Sequence, residues 1–429
     1  SKDYLVQQDY FSYPQAQDSI RIWNYFLPKN RECWKDAIEI SKSTLQSYGK
    51  LCGPYPYPQV TSVDGDLSAG GGMEYPMLTI VNSVNNKYFL WQVIGHEIGH
   101  NWFYGVLGFD ERRYAWMDEG LNTYGEQRFI EDYLPDSASF LNSLPLAPFF
   151  NLLIDNFSMN NIYHTAINTL RYHRMLQPSD LSSEYFDTPA GYFVGTYYKP
   201  GLGIELLESY VGQDSLDMAM NNFYEKWKFR HPYPEDMQQS FENTLNMNLN
   251  WFFQDYLSMT EFSDYKISSF EVSESEGQYF SKLDIVNKGK FEQPVKVGLY
   301  NNNSIIKERW VSPQGNQSLS LKTDIRPDEA RINPELSTLE SNYLNNYSGR
   351  IPPLDFNFLF DFPQPNKYLI NYIPYMNYNY YDGFKLGGGL YHLSSTPPKN
   401  TYLTYGSYAF KSKEINGTFL YTTKVYGDK

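Results

Sequence analysis

At 429 residues the chain is too long for one ordinary core, which predicts two or three domains. An apolar fraction of 41% and a charged fraction of 20% exclude a disordered chain. A formal net charge of −14 argues against a nucleic-acid partner and, weakly, favours cationic or free-amine substrates.

No run of 18 apolar residues is present, so no transmembrane helix is expected. The first residue is Ser1, so a missing signal peptide carries no information. Residues 32–48 have helical periodicity, with Trp34, Ile38, Ile40, Leu45 and Tyr48 on a broad face and a stop expected by Gly49. A helix of that span is about 25 Å long, and four residues return at most about 14 Å. Cys33 and Cys52 are therefore expected not to be bonded to each other. Residues 76–83 read as a short strand, and 88–106 and 113–134 as two helices. Further helices run to about 262, interrupted near Pro178, Pro189 and Pro232. The stretches 265–273, 280–287, 294–300 and 316–322 then alternate apolar and polar residues between Asn, Gly and Pro, which predicts a small antiparallel sandwich. After NNYSGRIPP the composition turns rich in Tyr and Gly. The expected architecture is α/β plus all-β, divided into 1–262, 263–347 and 348–429.

The chemistry concentrates in HEIGH at 96–100. Positions i and i+4 of a helix share a face, so His96 and His100 reach one ion. Glu97 lies about 100° round the helix, where it touches a water without ligating the metal. One zinc ion suits two imidazoles and a carboxylate with a fourth position open. Glu119, 19 positions after His100 in WMDEGLNTY, is the expected third ligand. The remaining histidines, His164, His173, His231 and His392, lack ligand spacing and are expected to be hydrogen-bonded or surface groups.

HEIGHNWFYG followed by WMDEGLNTY resembles the gluzincin pattern of the aminopeptidase N and leukotriene-hydrolase family. GGMEY at 71–75 is similar to that family's substrate-binding G-[AG]-M-E-N stretch, with Tyr75 at the usual Asn. The resemblance implies that Gly71, Gly72 and Met73 receive a peptide as an added strand and that Glu74 binds its free α-ammonium. TYYKPG at 196–201 resembles the family's Y-x-K-G segment, with Pro200 in place of the glycine. It implies Tyr197 as the oxyanion-binding tyrosine, with Tyr198 as a rival. The resemblance covers about 15–345 and implies a thermolysin-like catalytic domain, peptide substrates with a free N-terminus, and a preceding β-rich domain of roughly 200 residues. Other expected readings are an endopeptidase or epoxide hydrolase of the same clan, a binding domain with a vestigial zinc site, or a transport or secretion module.

Three tail segments, 382–393, 400–411 and 415–426, have the length of a membrane-spanning β-strand, alternate in polarity and are separated by TPPKN and KEING. With YDGFKLGGGLY they resemble the opening of an outer-membrane barrel, which implies a periplasmic or outer-membrane location. A soluble three-stranded sheet is the alternative.

Overall fold

The structure is a computed structural model that describes residues 2–14, 18–68, 71–84, 86–134, 159–313, 315–349, 353–359, 364–393 and 400–423. Its contacts divide the chain into one unit of Ser1–Ala147 and Gln177–Met259, and another of Pro148–Leu176 and Thr260–Lys429.

The first unit combines a mixed sheet with helices. Strands β1 (Leu5–Phe11), β2 (Ile20–Phe26), β3 (Gln59–Gly65), β4 (Gly72–Met73) and β5 (Leu78–Asn82) lie in the order β1-β2-β3-β5-β4. The β2–β3 and β3–β5 pairs are parallel, while β4 joins the edge antiparallel to β5. The strand expected at 76–83 is thus β5, trimmed at its start by Met77, whose φ is 64°.

The helix expected over 32–48 is interrupted. A single turn, α1 (Arg31–Trp34), is followed after Lys35 and Asp36 by α2 (Ala37–Leu51), which runs past Gly49. Both pieces bury apolar residues, Trp34 in the first and Ile40, Leu45 and Tyr48 in the second, so the period survives the break. Cys33 and Cys52 are free and buried, as expected, although the unbroken helix behind that expectation is absent.

α3 (Lys87–His100) starts on Asn86, whose side chain accepts from the Phe89 amide, and continues as a π-helical turn over Asn101–Val106. The second expected helix begins with a π-helical turn, Trp116–Gly120, before α4 (Leu121–Tyr133). α2 packs on both through Tyr48, whose hydroxyl donates to Asn122 Oδ1 at 2.8 Å. Gly99 is required there, because a Cβ would stand 2.1 Å from Asn122 Oδ1 and 2.4 Å from the Tyr48 ring. After α5 (Met159–Tyr172), which belongs to the second unit, the first resumes with α6 (Pro189–Phe193), α7 (Lys199–Val211), α8 (Gln213–Trp227) and α9 (Pro234–Leu245).

In the second unit, β6 (Tyr265–Ser275), β7 (Gln278–Asn287) and β10 (Gln317–Thr323) form one antiparallel sheet. β8 (Val295–Asn301), β9 (Ser304–Val311) and β11 (Glu329–Ile332) form another. Leu283, Ile285, Val297, Leu299 and Ile332 bury into one shared cluster. β9 and β11 were not expected from sequence: β9 is mostly exposed and shows little alternation, and β11 has four residues.

The tail forms a five-stranded sheet of β12 (Leu354–Phe358), β13 (Tyr368–Asn379), β14 (Gly383–Leu393), β15 (Asn400–Ala409) and β16 (Glu414–Thr423). The last three match the expected segments. The expected turn residues 396–399 and the end of the third segment, 424–426, lie outside the described residues. β13 contains Pro374, which normally speaks against a strand. β12 pairs only with Tyr368–Tyr372, so Pro374 sits where that edge of β13 is free of β12.

Candidate metal and peptide-binding site

The side chains that could hold a metal come from α3 and from the π-helical turn ahead of α4. His96 Nε2 and His100 Nε2 are 3.1 Å apart. Glu119 Oε2 is 3.3 Å from the first and 3.4 Å from the second. Tetrahedral zinc with bonds of about 2.0–2.1 Å puts neighbouring ligand atoms roughly 3.3–3.4 Å apart, so the triad matches that edge length. The other ring nitrogens are also held. His96 Nδ1 meets Glu126 Oε2 at 2.8 Å, and His100 Nδ1 meets Asp118 Oδ1 at 2.6 Å. These bonds aim both Nε2 atoms at one point, and the surrounding carboxylates call for a cation there. Burial opposes charge on His96, but hydrogen bonds to Glu119 and Glu126 raise its pKa to about 10. Desolvation opposes charge on the half-buried Glu119, yet the two imidazoles hold its carboxyl well below the usual range. The residues present therefore fit a divalent metal such as zinc.

Glu97 sits one residue on from His96 and outside the triad. Burial pushes its pKa up to about 7, against the pull of both histidines and with help from Glu74 and Glu119. A carboxylate with that pKa is suited to exchanging protons near neutrality. Its buried Oε2 has no hydrogen-bond partner among the described residues.

Gly72 and Met73 form the edge strand β4, with Gly71 at φ 64° just before it and Glu74 just after. A Cβ on Gly72 would lie 2.3 Å from the Glu97 carboxyl carbon, so the glycine allows β4 and Glu97 to meet. Asn101 Oδ1 accepts from the Met77 amide at 2.8 Å and ties this strand region to the end of α3. Glu74, Glu111, Asp118, Glu119 and Tyr192 line a cleft of about 310 Å³.

Tyr197 lies on a π-helical turn, Val194–Tyr198, and its hydroxyl donates to Glu119 Oε1 at 2.5 Å. Its ring stacks on His96 with centroids 6.0 Å apart. The Tyr198 ring packs edge-on against Phe193 instead. Lys199 points away into the core, where its ammonium donates to the carbonyls of Leu257 and Met259. The other histidines stand apart from the triad: His164 bonds the Tyr343 hydroxyl, His231 the Gly108 carbonyl and His392 the Leu369 carbonyl, and His173 packs on Tyr172.

Several site residues were missed from sequence. Asp118 precedes Glu119 directly, and Glu126 follows it by seven positions, two turns along the same side of a helix. That spacing was an available signal for Glu126. Asn122, which donates to the His96 carbonyl at 2.8 Å, carries no comparable one, nor do Glu111 and Tyr192.

Aminopeptidase M1-A of Oryza sativa is 22% identical over 246 residues, covering 54% of this chain and 26% of the rice protein. Probable aminopeptidase 1 of Saccharolobus solfataricus is 21% identical over 238 residues, covering 52% of this chain and 28% of that protein. The chain thus spans about a quarter of the length of these curated relatives. Its fold is similar to a crystal structure of Legionella pneumophila aminopeptidase A in complex with aspartic acid, with a TM-score of 0.57 and 16% identity, covering 79% of this chain and 38% of that one. The model of the peptidase family M1 domain matches residues 37–256, just over half of the chain and the whole of the metal site. The chain belongs to peptidase family M1.

Proposed function

We propose that this protein is a zinc-dependent aminopeptidase that hydrolyses the N-terminal peptide bond of peptides. The observation that carries the reading is the convergence of His96, His100 and Glu119 at tetrahedral spacing, with Glu97 beside them, its Oε2 without a hydrogen-bond partner among the described residues. Those three side chains would hold the ion, which when bound supplies Lewis acidity and a more acidic water. Glu97 takes the proton of the attacking water and returns it to the leaving amine. Tyr197, one hydrogen bond from Glu119, donates its O–H to the oxyanion that develops at the carbonyl. β4 offers a free sheet edge along which a peptide backbone aligns, and Glu74 accepts the α-ammonium.

The test uses zinc-loaded protein and paired peptides with free and acetylated N-termini. Cleavage of free peptides alone, lost in Glu97→Gln with zinc retained, is the expected result. Equal cleavage of both would assign an endopeptidase instead. Absence of stoichiometric zinc would sink the mechanism.

In the second unit we read the two three-stranded sheets as a β-sandwich and the tail sheet as the opening of an outer-membrane barrel, which puts the protein at the outer membrane facing the periplasm. Register supports this. Met376, Leu386, Tyr408 and Ile415 pair in one cross-strand row and are all exposed. The row on the opposite face is Asn377, Lys385, Ala409 and Glu414. Apolar-out and polar-in is the pattern of a lipid-facing barrel wall, although Leu403 and Leu420 pair on the second face. Recovery of the full-length protein in the outer-membrane fraction is expected, and recovery wholly in the soluble periplasm would exclude it.

A further inference from the structure

The segment TYYKPG contains a buried cation that the proposed mechanism does not use. Lys199 is 0% exposed, and its ammonium forms no ion pair among the described residues. Burial pushes its pKa down to about 7, against the pull of Asp180. A buried ammonium without a carboxylate is costly and needs carbonyls to receive it. Its Nζ donates to the Met259 carbonyl at 2.6 Å and to the Leu257 carbonyl at 3.0 Å. Both follow a π-helical turn, Trp251–Tyr256, and from that turn the Tyr256 hydroxyl donates to the Lys199 carbonyl at 2.9 Å. One distant segment therefore grips Lys199 by its side chain and by its backbone.

Lys199 opens α7 directly after the π-helical turn Val194–Tyr198, which carries Tyr197. Single π-helical turns are rare, and an unfavourable backbone shape persists only where its surroundings impose it. Pro200, the next residue, packs on Gly120, the residue after Glu119. A Cβ on Gly120 would stand 2.6 Å from Pro200 Cγ and 3.1 Å from the Thr196 carbonyl oxygen. The turn bearing Tyr197 is thus fixed by two neighbours, the turn bearing Glu119 and the 251–259 segment. The 2.5 Å bond from the Tyr197 hydroxyl to Glu119 depends on both.

We infer that Lys199 is a positioning residue for Tyr197: by tying the start of α7 to the Leu257 and Met259 carbonyls, it holds the phenol where the oxyanion develops. This rests on the reading of Tyr197 as the oxyanion donor. Lys199 acts through the backbone it shares with Tyr197 and touches no reacting atom.

The experiment is a double-mutant cycle on the zinc-loaded full-length protein. The probe is the phosphinic analogue of leucylalanine, whose tetrahedral P–O group imitates the oxyanion, with binding measured by calorimetry. Turnover of the leucyl p-nitroanilide is measured alongside. Lys199→Met should weaken the probe about tenfold and lower kcat by a similar factor, with KM and zinc content kept, as for a displacement of less than 1 Å at a reacting group. Tyr256→Phe, which removes one bond of the same clamp, should do so to a smaller degree. It carries the test alone if Lys199→Met does not fold. In a Tyr197→Phe background neither substitution should have a further effect on probe or kcat. An equal loss in both backgrounds would show that Lys199 acts on stability or elsewhere in the site, and would overturn the proposal. So would unchanged probe binding in both clamp variants. If Tyr197→Phe by itself binds the probe as tightly as wild type, the oxyanion role of Tyr197 fails first, and the role of Lys199 with it.

Discussion

Replacing Gly72 with Ala probes the contact between β4 and Glu97, the proposed substrate strand and the proposed base. The new Cβ would stand 2.3 Å from the Glu97 Cδ and Oε1 and 2.4 Å from its Cγ. Carbon contacts settle near 3.5–4.0 Å, so the two groups must separate by more than about 1 Å. Glu97 is buried on α3 and β4 is hydrogen-bonded to β5, so neither yields freely. A displacement of about 1 Å at a reacting group costs on the order of a hundredfold in rate. Overpacking adds a stability loss of about 1–3 kcal/mol. The assay is kcat/KM on an aminoacyl p-nitroanilide at saturating zinc, with urea unfolding alongside. Gly71→Ala is the control: its φ of 64° is strained for alanine, but nothing lies within 4 Å of the new Cβ. It should lose about 1 kcal/mol of stability while the base stays in place. A Gly72→Ala protein as active as wild type would refute the reasoning, as would an equal rate loss in both variants.

Glu126→Gln and Asp118→Asn remove the carboxylates that orient His96 and His100, so each should weaken zinc binding about 10–100-fold, read by chelator competition. Tyr197→Phe should lower turnover on the order of a hundredfold with zinc retained, whereas a matching loss in Tyr198→Phe and none in Tyr197→Phe would move the oxyanion donor to its neighbour. Burial lowers the pKa of His164 from 6.5 to about 4 in the folded chain. Below pH 6.5 the unfolded chain binds a proton that the folded chain refuses until about pH 4, so stability falls as pH drops through that window, by at most about 3 kcal/mol. Unfolding midpoints between pH 7 and 4 should fall less steeply in His164→Gln than in wild type.

The sequence by itself determined that His96 and His100 come together, because their i, i+4 spacing on any α-helix puts both rings on one face. Local alternation likewise located β14, β15 and β16, since a period of two reports a strand whatever it packs against. It also placed Tyr197 and the Gly71–Glu74 stretch through their likeness to known motifs. Other features depended on contacts between distant segments. The π-helical turns that carry Glu119 and Tyr197 shift side-chain direction without changing the apolar pattern, so periodicity does not reveal them. The break at Lys35–Asp36 leaves Trp34 and Ile40 buried on both sides of it, which made two helices read as one. Met77 begins β5 with a left-handed backbone while Asn101 bonds its amide, a contact across 24 residues. The juxtaposition of Glu111 with Glu74 was decided by the tertiary structure alone: they lie 37 positions apart, and only the packing of their segments around the cleft brings their carboxylates within 4.8 Å.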